Sequence, residues 1–243
     1  MQHNHTAPAR RTRSPRSLRA AAGGFTLIES AMATVIIGVG VLAMIDAQQA
    51  FMTSNTWSSQ AASATLLANE IRELTRGLPK HDPVVGLVTQ TDGTTGAVTL
   101  IGWGPDAGEV TVDDFDDIDD FDGITFINTG TPGFNDGDLP GPLNAFGEVI
   151  PEIARDGTLL GGVVDDAFAG QAVDGWSQTV FVTKLDPFDT ATTYTPATAL
   201  PANGARPAVP VDGFPLLVTV EVRFQGPNMI DAQLVGEVSW IVP

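Results

Sequence analysis

The chain has 243 residues, no cysteine, and 12 basic residues against 29 acidic ones, for a formal net charge of −17. The length suits one or two domains, the charge excludes a nucleic-acid binder, and the missing cysteines exclude disulfide frameworks and cysteine-bound zinc. Arg10, Arg11, Arg13, Arg16 and Arg19 all lie in the first 24 residues, where no acid occurs, so seven basic residues face all 29 acidic ones in the rest.

The run FTLIESAMATVIIGVGVLAMIDAQQAF begins at Phe25 and holds sixteen successive residues without a charge between Glu29 and Asp46. With Phe25 to Ile28 added, the apolar stretch reaches about twenty residues, enough to cross a bilayer core as a helix. The arginines before it keep that end cytoplasmic by the positive-inside rule, which sends the acidic body outward. A cleavable secretory signal runs from charge to apolar stretch to small residues. Here Ala20, Ala21, Ala22, Gly23 and Gly24 precede the apolar stretch. Cleavage among them would remove only the basic leader and leave the helix on the mature chain. Glu29 is costly inside a membrane segment and needs a partner. The α-amino group of a new N-terminus at Phe25 would serve, on the same chain or on a neighbour.

Gly24-Phe25-Thr26-Leu27-Ile28-Glu29, after a basic leader and before an apolar helix, resembles the class III signal of type IV prepilins and pseudopilins. The resemblance covers roughly residues 10 to 77. It implies that a prepilin peptidase cuts between Gly24 and Phe25 and methylates the Phe25 amine. It further implies that Glu29 neutralises the N-terminus of a neighbouring subunit as helices pack into a filament. Many filament pilins have a helix-loosening Pro in the apolar half, where this chain has Gly38 and Gly40. The run from Val35 to Met44, followed by Asp46, Ala47, Gln48 and Gln49, is most similar to minor pilins of the pilus-modification type and to minor pseudopilins.

Beyond Asp46 the helical pattern continues. Ala47, Ala50, Phe51, Ser54, Trp57, Ala61, Ala64, Leu67, Ala68, Ile71 and Leu74 recur at three- and four-residue intervals and predict one modestly apolar face. No Pro occurs from 25 to 78, and Gly77 with Pro79 supplies the stop. The expected helix spans 25–77 and is ~80 Å long, with 25–45 as the transmembrane or filament-core part.

Residues 78–243 form an acidic, β-rich head with short β-branched runs between Gly, Pro, Asp and Asn. Strands are predicted near 84–89, 96–103, 123–128, 178–185, 216–224 and 233–242, the last two as a hairpin across Gln225 to Asp231. The expected class is α+β, with the long helix packed on an antiparallel sheet, the lollipop that the resemblance implies. The stretches 129–176 and 186–214 are too long for plain connections, so further strands are expected in them.

Seven aspartates fall in the ten residues from Asp113 to Asp122, and the apolar positions Val112, Phe115, Ile118, Phe121 and Ile124 repeat every three. That period predicts a loop anchored inward by Phe115, Ile118 and Phe121, with aspartates crowded outward. Charge at this density either stays solvated or draws a cation, and Ca²⁺ takes six to eight oxygens. The spacing is not that of an EF-hand, because Ile118 falls where a first ligand belongs. Asp114, Asp117, Asp120 and Asp122 are the candidate ligands for calcium, and Asn135, Asp136 and Asp138 a weaker set that also reads as a turn.

Nothing in the sequence assembles a catalytic constellation. His81 is the one histidine after the leader, and neither a nucleophile elbow nor a phosphate-binding glycine loop occurs. Trp57, Trp103, Trp176 and Trp240 read as packing residues. The expected function is therefore structural: a minor subunit of a type IV pilus or type II secretion pseudopilus. Its partners would be the prepilin peptidase, other pilin or pseudopilin subunits and the inner membrane, and the head would end in an extracellular pilus or a periplasmic pseudopilus. The alternative is a membrane-anchored envelope protein whose acidic head binds a ligand in a calcium-dependent way.

Overall fold

The computed structural model describes residues 26–131, 138–153 and 172–243. The expected cleavage junction at Gly24 and Phe25, and the turn residues Asn135 and Asp136, lie outside them. One helix, α1 (Leu27–Leu74), opens the described chain and tightens into a 3₁₀ turn over Thr75–Gly77. Eight strands follow: β1 (Val88–Thr91), β2 (Val98–Ile101), β3 (Thr125–Ile127), β4 (Asp138–Pro140), β5 (Trp176–Asp186), β6 (Asp189–Tyr194), β7 (Leu216–Phe224) and β8 (Gln233–Val242). The chain divides into two compact units between Thr53 and Ser54.

In the first unit every described residue is exposed, including Leu27 at 90%, Ile36 at 68% and Phe51 at 74%. The helix is long and apolar enough to cross a membrane, with an 18-residue window of mean hydropathy 2.1 of which none is buried. Its few hydroxyls are satisfied on the helix itself. Thr34 Oγ1 donates to the Ser30 carbonyl at 2.9 Å, so the side chain needs no water partner.

In the second unit Ala64, Leu67, Ala68 and Ile71 are the buried positions of α1, spaced i, i+3, i+4, i+7 along one stripe. They pack on the inner face of a six-stranded sheet of order β4-β3-β5-β7-β8, with β6 also paired to β5. Leu216, Val218, Val220 and Val222 alternate inward along β7, and Val180 and Val182 do so along β5. The predicted apolar face of α1 is thus buried over only its last third, since Trp57 is 51% exposed.

Two contacts fix how closely helix and sheet approach. Gly236 of β8 faces Ala64, and a Cβ at 236 would stand 2.7 Å from the Ala64 Cβ. A register shift between Val222 and Arg223 skips Val235 on the β8 side, a bulge that accompanies this approach. The second is Gln178, wholly buried near the start of β5. Its Nε2 donates to the carbonyls of Leu67 at 2.7 Å and Leu143 at 3.1 Å, and its Oε1 accepts the Leu143 N–H at 2.7 Å. One amide side chain thereby ties helix, sheet and the 141–150 loop.

The sheet is mixed where an antiparallel one was expected, because β3 and β4 run parallel while β3–β5, β5–β6, β5–β7 and β7–β8 are antiparallel. β4 and β6 fall inside the two long stretches that predicted further strands, and β7–β8 form the predicted hairpin. The strand predicted at 84–89 begins later. Asp82 accepts the backbone N–H groups of Val84 and Val85, and this Asx turn holds both valines out of the ladder. β1 and β2 form a separate two-stranded ribbon.

Replacement of Gln178 by Leu leaves the Leu143 N–H without its partner and is expected to cost about 2–3 kcal/mol, the scale of one or two unsatisfied buried groups. Gly236→Val forces the helix off the sheet and is expected to cost about 1–3 kcal/mol. Urea unfolding of the full chain in detergent, followed by tryptophan fluorescence, measures both.

Candidate functional site

Among the described residues two places concentrate the polar chemistry that the sequence singles out: the start of α1 and the aspartate-rich segment before β3. At the helix start Thr26 is the N-cap. Its Oγ1 accepts the Glu29 N–H at 3.3 Å, and Glu29 Oε2 accepts the Thr26 N–H at 2.9 Å and the Thr26 hydroxyl at 3.1 Å. This reciprocal pair is a capping box, which satisfies orphan donors of the first turn. Glu29 thus has a local role that its expected pairing with an amine did not include. The Thr-x-x-Glu spacing was legible in the sequence.

The aspartate-rich segment is built from the inside. Phe115, Ile118 and Phe121 are buried as the period of three predicted, Ile124 is buried as well, and Phe115 and Phe121 lie edge to face at 5.0 Å. Only Asp119–Phe121 is regular, a single 3₁₀ turn. The aspartates do not all point outward. Asp117, Asp119 and Asp120 are 2%, 0% and 2% exposed, which corrects the expectation of a solvated rim. Backbone donors make this burial possible. Asp117 Oδ1 accepts the N–H groups of Asp119 at 2.8 Å and Asp120 at 3.2 Å. Asp120 Oδ2 accepts those of Asp117 at 3.0 Å and Asp116 at 3.1 Å. Asp119 accepts the Gly104 N–H at 2.7 Å and pairs with His81 Nδ1. His81 is itself buried, and its Nε2 has no partner among the described residues.

One carboxylate oxygen from each of Asp117, Asp119 and Asp120 lies within 4.8 Å of the others, and Asp120 also groups with Glu109 and Asp116. Burial, and then the neighbouring charges of Asp119 and Asp120, push the Asp117 carboxyl up to about 8. Burial first, with the charge of Glu109 adding to it, pushes Asp120 up to about 7. The buried Lys184 is pushed down to about 8 by desolvation, and its Nζ donates to the carbonyls of Pro196 and Thr198 beneath the Phe214 ring.

Of the four candidate ligands, Asp117 and Asp120 are brought together, with Asp119 as the third member. The other two are engaged elsewhere. Asp114 Oδ2 accepts the Val110 and Thr111 N–H groups and the Thr111 hydroxyl, and these bonds hold its carboxyl below the usual range. Asp122 accepts Trp103 Nε1–H at 3.0 Å and the Val182 N–H at 2.9 Å, joining the segment to β5. A cation at Asp117, Asp119 and Asp120 would find three carboxylates, and calcium would need waters or carbonyls for the rest of its shell. Asp119 was missed because nothing in the spacing separates it from its neighbours; its partner His81 lies 38 residues earlier.

The sign of the pH dependence follows from the raised values. Folded Asp117 and Asp120 keep protons that the unfolded chain, near 3.8, releases. Their contribution is full below the unfolded value and is lost as pH rises through about 7 to 8. In chelator-treated protein the melting temperature is therefore expected to fall between about pH 5 and about pH 8.5. Asp117→Asn with Asp120→Asn keeps the acceptor oxygens and should flatten that slope. Added calcium should raise the melting temperature of the wild type at the alkaline end and leave the double variant unchanged.

Comparison with known protein families, with curated proteins and with solved structures finds no match.

Proposed function

We propose that this chain is a minor subunit of a type IV pilus or type II secretion pseudopilus. A prepilin peptidase cuts between Gly24 and Phe25 and methylates the new amine. The subunit then waits in the inner membrane with its head outward and enters the filament by packing of its N-terminal helix. It acts by assembly rather than by chemistry.

The observation that carries this reading is the exposed apolar half of α1 directly behind the Gly24-Phe25-Thr26-Leu27-Ile28-Glu29 run. A surface of Leu27, Ile28, Val35, Ile36 and Leu42, each more than half exposed, is not stable in water. A bilayer accepts it before assembly, and neighbouring helices accept it afterwards. Glu29 supports the reading because an acid beside an apolar membrane segment is costly, and an ammonium next to it would offset the charge that the Thr26 capping bonds only partly satisfy. The second reading, a membrane-anchored envelope protein with a calcium-dependent head, is favoured by the buried group Asp117, Asp119 and Asp120.

Two substitutions at Glu29 separate its charge from its capping bonds. Glu29→Gln keeps an oxygen for Thr26 and removes the charge, whereas Glu29→Ala removes both. Both are expected to insert in the membrane at wild-type levels and to be missing from sheared surface filaments. Normal incorporation of either variant would remove the proposed role of the Glu29 charge.

A further inference from the structure

A pocket of about 400 Å³ opens beside β3 and β4, at the end of the sheet away from β8. Its floor is Phe126 of β3, Leu139 of β4 and Leu143, all three nearly wholly buried and members of the core that seats α1. Val112 and Val149, partly buried against the same core, form its walls. An apolar space of ~150 Å³ already holds one benzene ring, so this pocket has room for a chain or ring of about six to ten carbons. Its size and lining are those of a small-molecule site, where an apolar body is oriented by a few polar groups.

The rim carries charge of one sign. Asp113 and Glu148 stand on it, both exposed. They share one stretch of it, because a Cβ at Gly147 would stand 3.9 Å from Asp113 Oδ1, and Gly147 precedes Glu148. Gly147 has a φ of +78°, a conformation that L side chains rarely adopt, so the rim stays low between the two acids. Glu148 Oε2 accepts the Asn144 Nδ2–H at 3.1 Å, a neutral partner that steadies the carboxylate and leaves its charge in place. Neither acid makes an ion pair among the described residues, and no Lys or Arg is among the described residues that line the pocket.

We propose that this pocket binds a small organic ammonium, with its alkyl chain or ring on Phe126, Leu139 and Leu143 and its cationic end between Asp113 and Glu148. Burial of the apolar body supplies affinity, and the two carboxylates select the sign of the head group. A neutral molecule of the same shape gains the burial alone, and an anion meets two like charges. Every residue involved belongs to the second unit, so the site stands apart from the subunit reading, which rests on the N-terminal helix.

Hexylamine, hexanol and hexanoate share one chain length and differ in charge, so they serve as probes. Their binding to the full chain in detergent is titrated by ligand-observed NMR. Hexylamine is expected to bind saturably and about fivefold more tightly than hexanol, the scale of one exposed ion pair, with hexanoate weakest. Asp113→Asn with Glu148→Gln changes only exposed groups and keeps an oxygen for Asn144. This rim variant should bind the amine no better than the alcohol and the alcohol as the wild type does. Val149→Trp fills the pocket and should abolish binding of both; if it fails to fold, the rim variant decides alone. No saturable binding of hexylamine, equal affinity for amine and alcohol in the wild type, or unchanged amine binding in the rim variant would each overturn the proposal. The last result would place the amine elsewhere on the acidic head.

Discussion

The close seat of α1 on the sheet is the constraint on which the head depends. Ala64 and Ala68 keep the helix surface low, Gly236 keeps the β8 surface low opposite Ala64, and Leu67 and Ile71 fill the space that remains. Because the approach is close, the Leu67 carbonyl comes within reach of Gln178 in the centre of the sheet. The same amide holds both backbone groups of Leu143, so the 141–150 loop is fixed by the helix-to-sheet distance as well. Side chains larger than these at 64 or 236 would break the hydrogen bonds of Gln178 along with the packing.

The aspartate-rich segment shows the same economy with polar groups. Burying carboxylates is unfavourable unless donors surround them. Here the donors are mostly the segment's own backbone N–H groups, with Asp117 and Asp120 each capping the other's turn, while Asp122 and Asp119 reach Trp103, Val182, Gly104 and His81. The segment is thus part of the core and part of the electrostatic load. Two carboxyls raised well above their ordinary values make the head sensitive to pH and responsive to any cation that settles among them. The apolar half of α1 is the opposite case, a helix with little to bury it within its own unit and therefore dependent on its surroundings.

Much of this was legible in the sequence. The helix and its stop came from uninterrupted periodicity and the Gly77-Leu78-Pro79 sequence, and β5, β7 and β8 came from long β-branched runs. The inward positions 115, 118 and 121 came from a simple period of three. Other features had no local signal. Asp138–Pro140 is too short to alternate, and its parallel pairing with β3 is a property of the fold. The start of β1 was displaced because the Asp82 turn outweighed the β-propensity of Val84 and Val85. The buried aspartates were misplaced outward because charge usually marks a surface, and only the tertiary partners, His81 from the chain before β1 and Gly104 after β2, make an interior position tolerable for Asp119. Half the apolar face predicted beyond Asp46 stays exposed, since periodicity marks a face without saying what covers it.

The account turns on what happens at Gly24 and Phe25, because processing there decides whether Glu29 begins a mature helix beside a new amine or lies behind a retained leader. The most direct test is the N-terminal residue and mass of the protein recovered from native envelopes. The account predicts a chain that starts at N-methylated Phe25. An intact leader, in cells with an active prepilin peptidase, would contradict it and leave an anchored protein in which Glu29 does no more than cap its helix.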